Sequence, residues 1–153
     1  MAKVFDSVWI KGVLFKLTIL EFPSYLVKLI TSYLHSRTFV DAFQAATPSC
    51  RLMRAGVAQG GIISPVLFSL YVNNIPTPSR HIELAQYGDD TALVATSKHP
   101  ALLVKYLETH LSELEIWLRE WRIAINVRKS AAVLFMTRRI PPPRPLRFLG
   151  EEI

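Results

Sequence analysis

Two short apolar runs, residues 83–87 and 91–95, flank the tripeptide Gly88-Asp89-Asp90. Apolar runs on either side of a short glycine-containing segment are typical of a tight β-hairpin, so both aspartates are expected at its tip. Two adjacent carboxylates repel each other unless a cation neutralises them. Magnesium is suited to that role, because it binds a few carboxylate oxygens together with substrate phosphates. A solvated turn is the alternative, since Gly-Asp pairs are common in turns.

The remaining patterns mix helices with strands and predict an α+β fold with an antiparallel sheet. Helices are predicted at residues 11–17, from Pro23-Ser24 onward, from Ser64-Pro65 to Pro76, and from Pro100 to about Arg122. Strands are predicted at the start of the chain and at residues 37–44, 51–56 and 131–136, the middle two being joined across residues 46–49.

Side-chain spacing indicates which faces of these helices are buried. In the second helix, apolar residues three and four apart predict one face against a core: Leu26, Leu29, Ile30, Tyr33 and Leu34. In the third helix, Ser64 is expected to cap the free amides and Pro65 to take the first helical position.

Composition favours one packed domain with a polyanionic partner. The chain has 153 residues, 50% of them hydrophobic, and 18 Lys and Arg against 12 Asp and Glu, which gives a net charge of +6. This excess suits nucleic acid, although charge alone more often reflects a mildly basic surface. The single cysteine, Cys50, allows no internal disulfide and no thiolate cluster, so a reducing compartment is favoured.

Neither a signal peptide nor a membrane span is predicted. Charged residues interrupt the apolar N-terminus, and the uncharged run at residues 55–79 contains polar residues, glycines and prolines. The mean hydropathy of +0.26 is high for a free-standing soluble domain. We therefore expect exposed apolar surface at Trp117, Trp121 and the run after Ala55.

Five segments carry a resemblance to a known family. They are KVFDSVW (3–9), GVAQGGIISPVLFSLYVNNIP (56–76), QYGDDTALVA (86–95), WRIAINVRKSAAVLF (121–135) and RFLGEEI (147–153). In this order they resemble the first to fourth palm motifs and the primer-side LG motif of reverse transcriptases. Their detail is most similar to the jockey-like non-LTR retrotransposons.

The resemblance implies an RNA-directed DNA polymerase that adds dNTPs to a primer by two-metal nucleotidyl transfer with Mg²⁺. Asp89 matches the aspartate that binds both metal ions, and Asp90 matches its partner. Gln59 and Gly60 match the loop against the incoming nucleotide, and Phe5 matches the aromatic residue that excludes a ribose 2′-hydroxyl. From the residues alone, Phe5 could equally be core and Gln59 could equally satisfy loop amides.

The implied macromolecular partners are an RNA template and a DNA primer, with no membrane. Residues at positions of the family that meet nucleic acid are Tyr87, Gly88, Lys129, Leu149 and Gly150. Most lysines are simply solvated, which is the alternative for Lys129. A nuclear or cytoplasmic location is implied by family analogy alone.

Several positions depart from the family pattern. Ala58 stands in place of the usual proline, Ile10 in place of a histidine and Asn74 in place of an aspartate. The family's first metal-binding aspartate would fall immediately before Met1. Asp6 matches a different aspartate, which is expected to cap the following turn, and it is kept only as a substitute ligand.

The resemblance implies a partial palm at residues 1–139, a proline-rich linker at residues 140–145 and the start of the LG motif at residues 146–153. Fingers and thumb are expected to lie outside this chain, which alone is expected to be inactive. Two alternatives stay open: a reverse transcriptase of the group II intron type, and a non-catalytic remnant that binds nucleic acid.

Overall fold

The computed structural model describes residues 7–35, 37–40, 50–53, 55–57, 60–136, 141 and 143–153. The chain divides into two compact units, Lys3–Asn73 and Asn74–Ile153, which we call the N-terminal and C-terminal units. Among the described residues, no helix is both long enough and apolar enough to cross a membrane.

The N-terminal unit contains three described helices, α1 (Ile10–Ile19), α2 (Ser24–Leu34) and α3 (Ser64–Val72). Helix α1 packs against both of the others. Gly12 permits this approach, because a Cβ there would lie 3.0 Å from the Tyr71 ring. The most deeply buried apolar residues of this unit are Val8, Val13, Leu17, Leu34, Val57, Leu67, Phe68 and Tyr71.

Two details of these helices differ from the prediction. Leu29 is 65% exposed, because α2 packs mainly against α1 and one neighbouring helix covers only part of its apolar face. The cap of α3 is Ile63 rather than Ser64, which lies inside the first helical turn, where its backbone N–H donates to the Gly61 carbonyl at 3.1 Å. Helix α3 also ends at Val72, before the predicted limit at Pro76.

A short antiparallel ladder accompanies these helices. Strands β1 (Thr38–Val40) and β2 (Cys50–Leu52) pair with Thr38 opposite Leu52 and Val40 opposite Cys50. The predicted pairing is thereby confirmed, but the second strand ends at Leu52 and not at the predicted residue 56. The turn predicted at residues 46–49 lies outside the described residues, as do residues 1–6, where the opening strand was predicted to begin.

The C-terminal unit is built around its longest helix. It contains β3 (Ile82–Tyr87), β4 (Asp90–Ala95), α4 (Pro100–Glu120), a 3₁₀ turn (Val127–Lys129), β5 (Arg147–Phe148) and β6 (Glu151–Glu152). Helix α4 packs against β4 and β5. The buried apolar residues of this unit are Ile82, Val104, Leu111, Leu114, Trp117, Leu118, Val127 and Phe148.

The α+β class is confirmed, but the strands do not form one sheet. The described strands make three separate two-stranded antiparallel sheets. Residues 131–136 form no strand and are exposed, so the prediction there was wrong. A strand needs a partner for its backbone groups, and no described strand pairs with this segment.

The expectation of exposed apolar surface is confirmed in one place and wrong in another. Ile62, in the uncharged run, is 96% exposed. Trp117 is only 6% exposed, because it lies on the inner face of α4 and its indole N–H donates to Asn74 Oδ1 at 3.0 Å. Trp121 is half-buried.

Candidate functional site

The predicted hairpin is present, and its register places both aspartates at the tip. Strands β3 and β4 pair from Ile82 opposite Ala95 to Tyr87 opposite Asp90, which leaves Gly88 and Asp89 as a two-residue turn. Gly88 has a φ of 57°. Such left-handed values at the start of a two-residue turn favour glycine, which explains the residue found there.

Alternation along the strands separates the hairpin into two faces. The face that carries Leu84 and Leu93 is half-buried, and β4 packs against α4. Tyr87 and Asp90 share the opposite face, where Asp90 is exposed and Tyr87 is 88% exposed. Asp89, in the turn, is half-buried. The tip therefore presents one carboxylate and one aromatic ring to solvent beside a second, less accessible carboxylate.

The chemistry of this donor set suits a hard divalent cation in part. Carboxylate oxygens are the ligands that Mg²⁺ prefers, and two adjacent carboxylates gain from a nearby positive charge. Within the described residues, however, no group of three or more His, Cys, Asp or Glu could hold a metal ion. Asp89 and Asp90 thus fit part of a coordination shell, which a further donor and a substrate phosphate would have to complete.

Of the residues predicted to surround the incoming nucleotide, Gly60 lies among the described residues. Phe5, Asp6 and Gln59 lie outside the described residues. Gly60 is exposed in the loop before α3, with a φ of 80° and no atom within 4 Å of where a Cβ would lie. Its backbone is therefore open to close approach by another molecule.

Lys129 ends the 3₁₀ turn and is exposed, with its backbone N–H donating to the Asn126 carbonyl at 3.1 Å. Next to it an open groove joins this segment to β6. The groove is lined by Ala124, Ile125, Asn126, Val127, Arg128 and Glu151. The structure thus brings the segment predicted as the fourth motif next to the one predicted as the LG motif.

The predicted LG motif forms a second hairpin. Strands β5 and β6 pair with Arg147 opposite Glu152 and Phe148 opposite Glu151. Leu149 and Gly150 form the turn, with φ values of 52° and 83°. Phe148 is buried, and both turn residues are exposed.

Sequence reasoning missed the carboxylates that hold this second hairpin on α4. Glu115 Oε1 accepts the Leu149 backbone N–H at 2.5 Å. Both terminal nitrogens of Arg144 donate to the Glu108 carboxylate, Nη1 to Oε1 at 2.6 Å and Nη2 to Oε2 at 2.5 Å. This pairing raises the pKa of Arg144. The only available signal was their spacing of seven residues, which puts both on one side of a helix, but it does not reveal their partners.

Comparisons with known proteins agree with the motifs. The family model described as "Reverse transcriptase (RNA-dependent DNA polymerase)" matches residues 1–153. The chain is 33% identical over 143 residues to the "RNA-directed DNA polymerase from mobile element jockey" of Drosophila melanogaster. The match covers 89% of this chain and 16% of that protein.

Two further relatives from Drosophila melanogaster are similar to a comparable degree. The "Probable RNA-directed DNA polymerase from transposon BS" is 31% identical over 93% of this chain, and the corresponding protein from transposon X-element is 32% identical over 92%. In each case the match covers 16% of the relative, so the chain spans about a sixth of the length of these proteins. No solved structure matches.

Proposed function

The chain belongs to the reverse transcriptase family, and from that premise we propose that it contributes the palm of an RNA-directed DNA polymerase from a jockey-like non-LTR retrotransposon. The polymerase adds dNTPs to a DNA primer on an RNA template. The Drosophila relatives carry names of mobile elements, which supports this class over the group II intron type.

The observation that carries the proposal is the hairpin whose tip holds Asp89 and Asp90. Asp89 and Asp90 would hold Mg²⁺ through their carboxylates, with Asp89 as the principal ligand. When bound, the ions activate the primer hydroxyl and stabilise the leaving pyrophosphate. Gly88 supports this arrangement, because no atom lies within 4 Å of where a Cβ at Gly88 would be. The backbone of the turn is therefore open to the primer end.

Other residues bind and orient the substrates. We assign the incoming nucleotide to Gln59, Gly60 and Phe5, where the ring of Phe5 excludes a 2′-hydroxyl. Lys129 contacts phosphate, for which its exposure is suitable. Residues 1–139 form the palm part, residues 140–145 connect it, and residues 146–153 begin the primer-side motif with Leu149 and Gly150 at its turn.

The isolated 153-residue chain does not extend primers under this proposal. Two-metal transfer needs carboxylates from more than one strand to hold both ions at a fixed separation. Asp89 and Asp90 come from one hairpin tip. Losing one preorganised electrostatic group typically costs on the order of 100- to 1,000-fold in rate.

The test is primer extension on an RNA template with Mg²⁺ and dNTPs. The complete open reading frame that contains the chain should be compared with Asp89→Asn, which keeps the shape of the side chain and removes its charge. We expect a loss of at least about 100-fold. Glu83→Gln is the matched control, because Glu83 is an exposed carboxylate on β3 away from the tip, and it should leave the rate unchanged.

Two results would contradict the proposal in different ways. Full activity of Asp89→Asn would show that the hairpin takes no part in catalysis. Robust synthesis by the isolated chain, abolished by Asp6→Ala, would instead make Asp6 the further metal ligand and overturn the expectation of inactivity.

A further inference from the structure

The Leu149-Gly150 turn adopts a backbone conformation that its own sequence does not favour. Both central residues are left-handed, with φ values of 52° and 83°. Two-residue turns of this kind favour Asn-Gly or Asp-Gly, and leucine is disfavoured in the left-handed region because its Cβ approaches the following carbonyl oxygen. The hairpin is also short, since two residues pair on each side and one further backbone hydrogen bond, from the Ile153 N–H to the Leu146 carbonyl, follows them. Contacts outside the hairpin must therefore contribute to its shape.

Glu115 supplies such a contact at the strained residue itself. Its Oε1 accepts the backbone N–H of Leu149 at 2.5 Å. Hydrogen bonds to a carboxylate are shorter and stronger than those between neutral groups. This bond engages a backbone group of the turn that the two-residue ladder does not pair, and it orients the peptide that leads into the left-handed residue.

A second contact on α4 shows that the whole segment follows this helix. Arg144 forms a two-pronged pair with Glu108, seven residues before Glu115. Seven residues correspond to about two helical turns, or roughly 10 Å along one side. Between the two carboxylate contacts, Phe148 is buried, and β5 packs against α4. The position of the turn is thus defined by α4.

We infer that Glu115 is a positioning residue, which sets the Leu149-Gly150 turn in its nucleic-acid-binding shape before a primer arrives. This inference rests on the proposed function, in which the turn meets the primer. Gly150 is exposed and has no atom within 4 Å of a Cβ position, so the backbone of the turn is open to a partner. Glu115 does not contact the primer itself, because a carboxylate would repel primer phosphates. Its role is to accept the hydrogen bond from the Leu149 backbone N–H.

That distinction between acceptor and charge defines the variants. Glu115→Gln keeps an oxygen that can accept the Leu149 N–H but loses the charge, whereas Glu115→Ala removes the acceptor. Glu120→Ala is the matched control, because Glu120 is exposed in the last turn of the same helix. Circular dichroism establishes that each variant is folded.

The first measurement is backbone amide hydrogen exchange at Leu149 in the 153-residue chain. We expect Glu115→Ala to exchange about three- to tenfold faster than wild type, which corresponds to the loss of one hydrogen bond. Glu115→Gln, which keeps a weaker neutral acceptor, should exchange at a rate between those of wild type and Glu115→Ala, and Glu120→Ala should stay within about twofold of wild type. Equal protection in Glu115→Ala and wild type would overturn the inference, whatever the chain does with nucleic acid.

The second measurement is steady-state primer extension by the complete open reading frame, with kcat and the KM for primer-template measured separately. A turn that is no longer preorganised should raise KM about three- to tenfold in Glu115→Ala and leave kcat nearly unchanged. Glu115→Gln should restore the wild-type KM or lower it. An unchanged KM in an active Glu115→Ala polymerase would overturn the inference alone. No extension by wild type would instead refute the proposed polymerase, while the exchange data would still report on the bond from Glu115.

Discussion

Replacement of Lys16 by methionine should stabilise the N-terminal unit near neutral pH. It should also remove part of the pH dependence of the free energy of unfolding. Lys16 lies in α1 and is only 4% exposed, and its Nζ donates to Asn73 Oδ1 at 2.6 Å. Burial disfavours the ammonium form and lowers the pKa of Lys16 from 10.5 to about 8. The folded chain therefore gives up this proton at a lower pH than the unfolded chain.

The sign of the effect follows from proton binding. Between about pH 8 and 10.5 the unfolded chain retains the proton that the folded chain has lost, so the free energy of unfolding rises with pH in this window. Below about pH 8 the folded chain carries the full cost of a buried ammonium. The two pKa values differ by about 2.5, which corresponds to an upper limit of roughly 3–4 kcal/mol. Relaxation of the folded chain around a buried charge reduces this cost, and we expect roughly 1–3 kcal/mol.

The assay is urea unfolding of wild type, Lys16→Met and Lys11→Met at intervals from about pH 7 to 10. Lys11 is an exposed lysine on the same helix, so its replacement controls for the general effect of removing a positive charge. Lys16→Met should be more stable than wild type at pH 7 by roughly 1–3 kcal/mol, and the difference should shrink as the pH rises. A difference that stays constant across this range would refute the reasoning.

Three further substitutions test packing, polarity and backbone conformation in turn. Gly12→Ala should lower the free energy of unfolding by about 1–2 kcal/mol in urea, because the new Cβ would lie 2.6 Å from the Trp9 ring and overpacking outweighs the gain in helix propensity. His110 is buried, neither ring nitrogen has a hydrogen-bond partner in the described part of the chain, and Nδ1 lies 3.7 Å from Oε2 of the exposed Glu113. Thermal unfolding of His110→Leu should show a gain of about 1 kcal/mol, because a contact with an exposed carboxylate contributes little, and a loss would contradict this. Gly88→Ala should cost about 1–2 kcal/mol at a φ of 57°, and Gly88→Asn should cost less, so equal unfolding midpoints for the two variants would count against left-handed strain.

Local signals were sufficient for the hairpin and the long helix. Residues 83–95 combine two short apolar runs with a glycine where the turn requires a left-handed φ, so pattern and turn chemistry agree. Residues 100–120 combine an N-terminal proline with apolar residues at helical spacing. Each element was predicted within about two residues, because the information lies inside the element itself.

Contacts between distant residues were not predictable in the same way. The burial of Trp117 depends on which face of α4 meets the rest of its unit, and its partner Asn74 is 43 residues away. Glu115 and Leu149 are separated by 34 residues. A glutamate on a helix and a leucine beside a glycine are each common on a protein surface, so neither residue indicates that the other is its partner.

Residues 131–136 show why an apolar pattern alone does not make a strand. Phe135 is 89% exposed, and the segment has no strand partner among the described residues. Ordering the backbone costs roughly 1–2 kcal/mol per residue, or about 6–12 kcal/mol over the segment. Full burial of a large apolar side chain returns only about 1.5–3 kcal/mol, and here that burial is not achieved. For residues 82–87 the same cost is offset by pairing with β4, which in turn packs against α4. The difference between the two segments therefore lies in their partners and not in their own side chains.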